Sequence, residues 1–224
     1  MAQQSSSPSQ AQQADSQPAE PTVFIVDDEI RLAKSLRWLI ESVGLKVEIF
    51  ASAGEFLARY PQGRPGCLVL DVRMPAMSGL GLQEELKARG VTLPIIFMTG
   101  HGSVQIAVRA LQNGAIDFLE KPFDDQRMLD LVQKAITLDS EQRRQAAVQA
   151  DAAARYASLS TREREVLEQL VEGRTNKAIA HRLGLSSKTI ETYRANVMVK
   201  MGASALPHLV KTALDLRRAS GDHT

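Results

Sequence analysis

Asp27 and Asp28, Asp71, Thr99 and Lys121 each stand just after a short apolar run: Val23-Phe24-Ile25-Val26, Cys67-Leu68-Val69-Leu70, Pro94–Met98 and Ala115–Leu119. If those runs are parallel strands of a doubly wound sheet, their carboxyl ends share the edge at which such sheets bind ligands. Three carboxylates gathered there repel one another unless a cation holds them. A hard divalent ion, Mg²⁺, suits carboxylate oxygens, a backbone carbonyl and water. A lysine and a hydroxyl nearby complete a cradle in which an aspartate attacks a phosphoryl group while the metal, Lys121 and Thr99 offset charge on its oxygens. Taken singly, each residue has a plainer reading: the aspartates as helix caps, Thr99 as a turn residue, Lys121 as a solvated charge. It is their joint placement after consecutive runs that argues for chemistry.

The elements that must position them are legible from periodicity. Leu32, Leu36, Leu39, Ile40 and Val43 recur at helical spacing after the first run, a further run spans Val47–Phe50, and helix-like stretches cover about 53–60, 79–89, 103–113 and 124–137. Five βα repeats with strands apolar on both sides predict a parallel sheet covered on both faces, since parallel strands need crossover connections. From Leu138 to Ala157 the chain is rich in Ala, Gln and Arg without Gly or Pro, which predicts a helix and not a loose tether. Four more helices are expected at about 161–172, 175–183, 187–201 and 204–217, punctuated by Gly173, Gly184 and Gly202.

The fold class expected is α/β plus all-α: a flavodoxin-like, doubly wound five-stranded parallel sheet over 21–138, a helical linker at 139–157, and a four-helix domain at 158–218. Residues 1–20, rich in Gln, Ser, Ala and Pro, read as a disordered tail without the basic start and apolar stretch of a secretory signal, and 219–224 as a second tail. The 224 residues suit two domains, and the 44% hydrophobic and 24% charged shares are those of soluble globular chains. No apolar run approaches the ~20 residues of a membrane helix. One cysteine, Cys67 in an apolar run, excludes an internal disulfide or cysteine metal site, suits a reducing cytoplasm and reads as core. The net charge of +1 is unevenly spread: residues 158–218 hold 11 Lys and Arg against 6 Asp and Glu, whereas 21–138 hold 13 against 14. The basic excess lies in the C-terminal part.

That part opens with Leu159-Ser160-Thr161-Arg162-Glu163, a hydroxyl cap with an acid at capping-box spacing. A short helix to Leu183, a glycine turn and a helix capped at Leu185-Ser186-Ser187 follow the helix-turn-helix pattern. Ile190, Val197 and Met201 form the apolar stripe of the third helix. Ser187, Lys188, Glu191, Thr192, Ala195 and Lys200 lie opposite, small or polar enough to reach base edges. The pattern alone also fits three-helix cores that bind no DNA.

The wording of the segments is more specific. Val26-Asp27-Asp28-Glu29, Leu70-Asp71-Val72-Arg73-Met74-Pro75, Met98-Thr99-Gly100-His101-Gly102 and Glu120-Lys121-Pro122-Phe123 resemble the signature segments of response-regulator receiver domains, with the third and fourth closest to the FixJ-like branch. Leu159–Leu167, Gly173–Ala180 and Ser187–Tyr193 resemble the LuxR-type DNA-binding domain of FixJ and NarL relatives. The resemblance implies a two-component, phosphorylation-dependent transcription regulator and not an enzyme. Asp71 would accept phosphate from a sensor histidine kinase. Asp28, Asp71 and the Arg73 carbonyl would bind Mg²⁺ directly, with Asp27 acting through water. Thr99 would turn toward the phosphoryl group and draw Phe118 inward, while Lys121 pairs with a phosphoryl oxygen. Phe118 also reads as an ordinary core aromatic. The Lys121-Pro122 peptide would be cis, aiming the ammonium into the site. Lys188, Glu191, Thr192 and Ala195 would face the major groove. Arg174, Asn176, Lys177, Arg194 and Lys200 are phosphate candidates, or solvated helix charges. Glu191 can accept from a cytosine amine but repels phosphate. Phosphorylation would promote a homodimer on promoter DNA, with RNA polymerase as a further partner and no membrane association. Gly81 departs from relatives, which carry a larger residue there, and predicts a late or loose start to the helix after Asp71.

Rival readings fare worse. An aspartyl-phosphate phosphatase expects a second acid two residues past the nucleophile, where Arg73 stands, and leaves the basic helical part unexplained. A ligand-gated LuxR-type regulator would lack the acidic edge, and flavin binding has no supporting loop. His101 has no second histidine or cysteine at ligand spacing and reads as a loop residue.

Overall fold

In the computed structural model, which describes residues 20–100 and 104–219, the predicted runs are strands β1 (Thr22–Val26), β2 (Lys46–Phe50), β3 (Gly66–Asp71), β4 (Ile95–Thr99) and β5 (Asp117–Glu120). They form one parallel sheet in the order β2-β1-β3-β4-β5. Between them run α1 (Ile30–Glu41), α2 (Ala53–Arg59), α3 (Gly79–Ala88) and α4 (Val104–Gln112), and after them α5 (Asp125–Ala157). Most of the tail expected at 1–20, His101 with its neighbours, and 220–224 lie outside the described residues.

Alternation along the strands divides the core into two layers. Val23, Ile25, Cys67, Val69, Ile96 and Met98 face α1 and α5, whereas Phe24, Val26, Leu68, Leu70 and Phe97 face α2, α3 and α4. All of these side chains are buried, because the central strands are covered on both faces. Cys67 is one of them, and burial pushes its thiol pKa far up, with the charge of Asp139 acting the same way. Two boundaries differ from expectation. Pro94 precedes β4, having no N–H to give to a ladder, although its carbonyl accepts from Leu68. Ala115 belongs to the turn closing α4, its amide bonding back to Ala110, and Ile116 donates to the Ile95 carbonyl just ahead of β5, which begins at Asp117. Gly81 does not delay α3. The helix starts at Gly79 because the Ser78 hydroxyl accepts from the Gly81 amide and caps the first turn.

The chain divides into two compact units at Ser140/Glu141, and α5 runs through the division as one helix. Asp139, 2% exposed, ends the part of α5 that belongs to the sheet. Its carboxylate accepts from the Gly66 amide at 2.9 Å and pins the start of β3. Gly66 is held at φ +144 with a Cβ position 1.8 Å from the Thr22 carbonyl oxygen, so no side chain fits there. In the second unit α6 (Thr161–Val171), α7 (Asn176–Leu183), α8 (Ser187–Lys200) and α9 (Leu206–Ala219) follow the end of α5. Leu159, Val166, Leu167, Ile179, Ile190, Val197, Met201 and Leu209 make their core. Ser160 and Glu163 close the predicted capping box on α6. Thr175 and Ser186 cap α7 and α8, and Gly184 ends α7 in the left-handed conformation.

Removing the Asp139 carboxylate leaves a buried amide unsatisfied, so Asp139→Ala should cost about 1–3 kcal/mol, and Asp139→Asn, which keeps an acceptor, clearly less. Hydrogen-exchange protection of the β1 and β3 amides in the full chain measures both. Glu163 is held down to a pKa of about 2 by its hydrogen bond from Lys200, then by the Ser160 amide. A depressed carboxylate stabilises above its unfolded value and loses that effect as pH falls through the folded one. The contribution should therefore vanish between about pH 4.5 and about 2. A carboxylate NMR titration should place the Glu163 midpoint near 2, and Lys200→Met should return it toward the ordinary range.

Candidate functional site

The parallel register sets Val26 level with Phe50 and Leu70, Asp71 level with Met98, and Thr99 level with Glu120. Backbone hydrogen bonds carry the alignment past the strand ends: Asp27 to the Phe50 carbonyl, Val72 to Met98 and Lys121 to Thr99. Residues 27, 71, 99 and 121 thereby stand at one edge, as their sequence positions predict. Asp27, Asp71 and Thr99 are buried, at 1%, 7% and 1% exposure.

The ammonium of Lys121 joins the acids. Nζ donates to Asp71 Oδ1 at 2.7 Å and to Asp27 Oδ2 at 3.0 Å. The other carboxylate oxygens take backbone amides, Asp27 Oδ1 from Glu29 at 2.8 Å and Asp71 Oδ2 from Arg73 at 2.7 Å. Burial raises the Asp27 pKa despite the Glu29 amide and Lys121, and the charge of Asp71 adds to it. For Lys121 burial works the other way, but its hydrogen bonds to Asp71 and Asp27 outweigh it and leave the pKa raised. Lys121 is thus held protonated between the two acids, while Asp27 resists ionisation more than a free carboxyl does.

The remaining predicted residues are placed less centrally. Asp28 is exposed and lies outside this hydrogen-bonded group, and Arg73 is exposed, its amide turned to Asp71. Phe118 is half-buried against the layer of α2, α3 and α4. The Lys121-Pro122 peptide is cis. Among the described residues no three His, Cys, Asp or Glu side chains stand together as a ready metal cluster. The donor chemistry still fits a hard divalent ion, because two carboxylates share a single ammonium and each oxygen keeps a lone pair beyond its one hydrogen bond. Gly79 is a site residue that sequence reading missed. A Cβ there would lie 2.2 Å from the Asp71 carbonyl oxygen, and its amide donates to Val72, so α3 abuts the backbone of the acid.

On the second unit, Lys188, Glu191, Thr192 and Ala195 are exposed along one side of α8, opposite buried Ile190 and Val197. Lys188 and Glu191 lie 3.8 Å apart across that surface. Lys177 is exposed and has no ion-pair partner among the described residues, Arg174 pairs with Glu172 at 2.8 Å, and Arg194 donates to Asn176 at 3.4 Å. Lys200, the last of the phosphate candidates, is exposed and paired within the unit. Its ammonium lies 2.7 Å from Glu163, a side chain only 5% exposed, and ties the end of α8 to the capping box of α6. No helix among the described residues is long and apolar enough to cross a membrane.

Comparison with known proteins matches both parts of the chain. A family model of the response regulator receiver domain matches residues 23–133, and one of bacterial regulatory proteins of the luxR family matches 157–213. The chain is 50% identical over 198 residues to the transcriptional regulatory protein FixJ of Azorhizobium caulinodans, covering 88% of this chain and 93% of that one. It is 40% identical over 195 residues to the response regulator protein TodT of Pseudomonas putida, covering 87% and 86%. Among solved structures, the response regulator StyR matches 88% of this chain and all of its own with a TM-score of 0.81 and 41% identity. With the acidic strand-end site on a doubly wound sheet and the capped helix-turn-helix that follows it, the chain belongs to the response regulators that join a receiver domain to a regulatory domain of the luxR family.

Proposed function

We propose that Asp71 is the phosphoacceptor of this response regulator, receiving its phosphoryl group from a sensor histidine kinase. The observation that carries this reading is the Lys121 ammonium 2.7 Å from Asp71 Oδ1, poised to neutralise a phosphoryl oxygen as it arrives. Asp28, Asp71 and the Arg73 carbonyl would hold Mg²⁺, with Asp27 acting through water. The ion supplies charge neutralisation on the phosphoryl oxygens when bound. Asp71 presents the nucleophilic oxygen, and Lys121, whose raised pKa keeps it protonated, follows the new charge. Phosphorylation adds roughly two negative charges beside buried Thr99, and this biases Thr99 and Phe118 toward a second arrangement.

The phosphorylated receiver, residues 21–138, then controls homodimerisation and promoter binding by residues 158–218 through the helix spanning 139–157. On the DNA, Lys188, Glu191, Thr192 and Ala195 read the major groove, and Arg174, Asn176, Lys177, Arg194 and Lys200 contact phosphates. The relatives FixJ and TodT, named as a transcriptional regulatory protein and a response regulator, support this assignment. A regulator of this kind works in the cytoplasm, in reach of RNA polymerase.

Acetyl phosphate with Mg²⁺ should add one phosphoryl group to the intact chain by mass, and sedimentation should show a shift from monomer to dimer. Asp71→Asn or EDTA should abolish both changes, and persistent acyl phosphate in Asp71→Asn would overturn the acceptor. For DNA, Lys177→Ala should weaken binding to all sequences and lower the salt slope by about one unit. Thr192→Ala should instead alter which sequence is preferred, as read by binding to a panel of single-base variants.

A further inference from the structure

The luxR-family match begins at residue 157, yet the turn of α5 just before it takes hold of α8. Arg155 Nη1 lies 3.4 Å from the Met201 carbonyl at the C-cap of α8. Its Nε pairs with Asp151 one turn earlier at 2.9 Å. Gly202, the next residue, is left-handed at φ +64, and a Cβ there would fall 1.7 Å from Arg155 Nη1. The guanidinium therefore lies over Gly202, in the space a side chain would fill. Gly173 and Gly184 share the positive φ but have open space where a Cβ would project, so the guanidinium over Gly202 is a contact particular to the end of α8.

This contact is one of several that fasten the end of α5. Tyr156 packs against the core of the second unit beneath the Arg164 guanidinium, at 5.4 Å from the ring centre, and Arg164 donates to the Ala157 carbonyl at 2.9 Å. Arg155 differs from these in acting on α8. A helix C-terminus carries carbonyls without intrahelical partners and a partial negative charge, both of which an arginine satisfies. The same end of α8 is held on another side by Lys200 through Glu163.

We propose that Arg155 is a positioning residue for DNA recognition: from outside the family domain it sets the pose of α8, and with it the presentation of Lys188, Glu191, Thr192 and Ala195. This rests on the DNA-reading role assigned to α8 above. In this reading Arg155 acts on DNA only through α8. Its removal therefore lowers sequence-specific affinity without removing a phosphate contact.

The test uses the full-length chain treated with acetyl phosphate and Mg²⁺, and a duplex that the wild type selects from a random-sequence library. Arg155→Ala should lose about tenfold in affinity for that duplex, with the salt slope unchanged and with hydrogen-exchange protection of α6 and α7 retained. Arg155→Lys, which keeps the charge but not the reach of the guanidinium to Met201, should give a smaller loss in the same direction. Wild-type affinity in Arg155→Ala would overturn the proposal. So would a salt slope lowered by about one unit, the mark of a direct phosphate contact, or lost protection in α6 and α7, the mark of general unfolding. If the wild type selects no sequence at all, the DNA reading of α8 fails and this proposal with it, whereas selection by the wild type with an unaffected Arg155→Ala sinks the proposal alone.

Discussion

The receiver unit is organised around a single ammonium shared by two buried carboxylates. Asp27 and Asp71 come from different strands, and each is almost fully removed from water. Two like charges so placed would separate or protonate without a cation between them. Lys121 supplies that cation, and the amides of Glu29 and Arg73 bind the oxygens it leaves. The arrangement depends on register, because each acid is held by backbone that continues the ladder beyond its strand. A slip of one residue would turn Asp71 to the other face of the sheet.

The two units solve stability by different means. In the first, alternating apolar residues fill layers on both sides of the sheet, and Phe24, Phe50, Phe56 and Tyr60 form a cluster of edge-on and stacked rings with centroids 4.9–6.4 Å apart. Aromatic pairs of that geometry add about 0.5–1.5 kcal/mol each beyond burial. The second unit has a smaller core and relies more on its helix ends. Side-chain caps on α6, α7 and α8 satisfy amides that would otherwise be orphaned, and Lys200 ties one cap to the far end of another helix.

Much of this was legible because period and position survive in sequence. The short, unbroken apolar runs Val23–Val26 and Cys67–Leu70 mark strands buried on both faces, and acids directly after them must lie at one edge once the sheet is parallel. The strand limits near Ala115 were not legible, because an apolar residue in a helix-closing turn has the same composition as one in a strand. Gly81 misled for the opposite reason: a poor helix former was outweighed by the Ser78 cap. The double role of Lys121, the pairing of Lys200 with Glu163 and the reach of Arg155 to Met201 join residues far apart in the chain. No local pattern announces such partners. Lys200 looked like one more cation on a basic surface, and only its geometry separates it from Lys188, which is exposed on the same helix.

Gly79 gives the acidic edge a direction. With α3 pressed against the carbonyl of Asp71 and no side chain between them, the backbone of that acid has a wall on one side. Any larger residue at position 79 would have to push α3 off that carbonyl, so the place of the acid and the start of the helix behind it are set together.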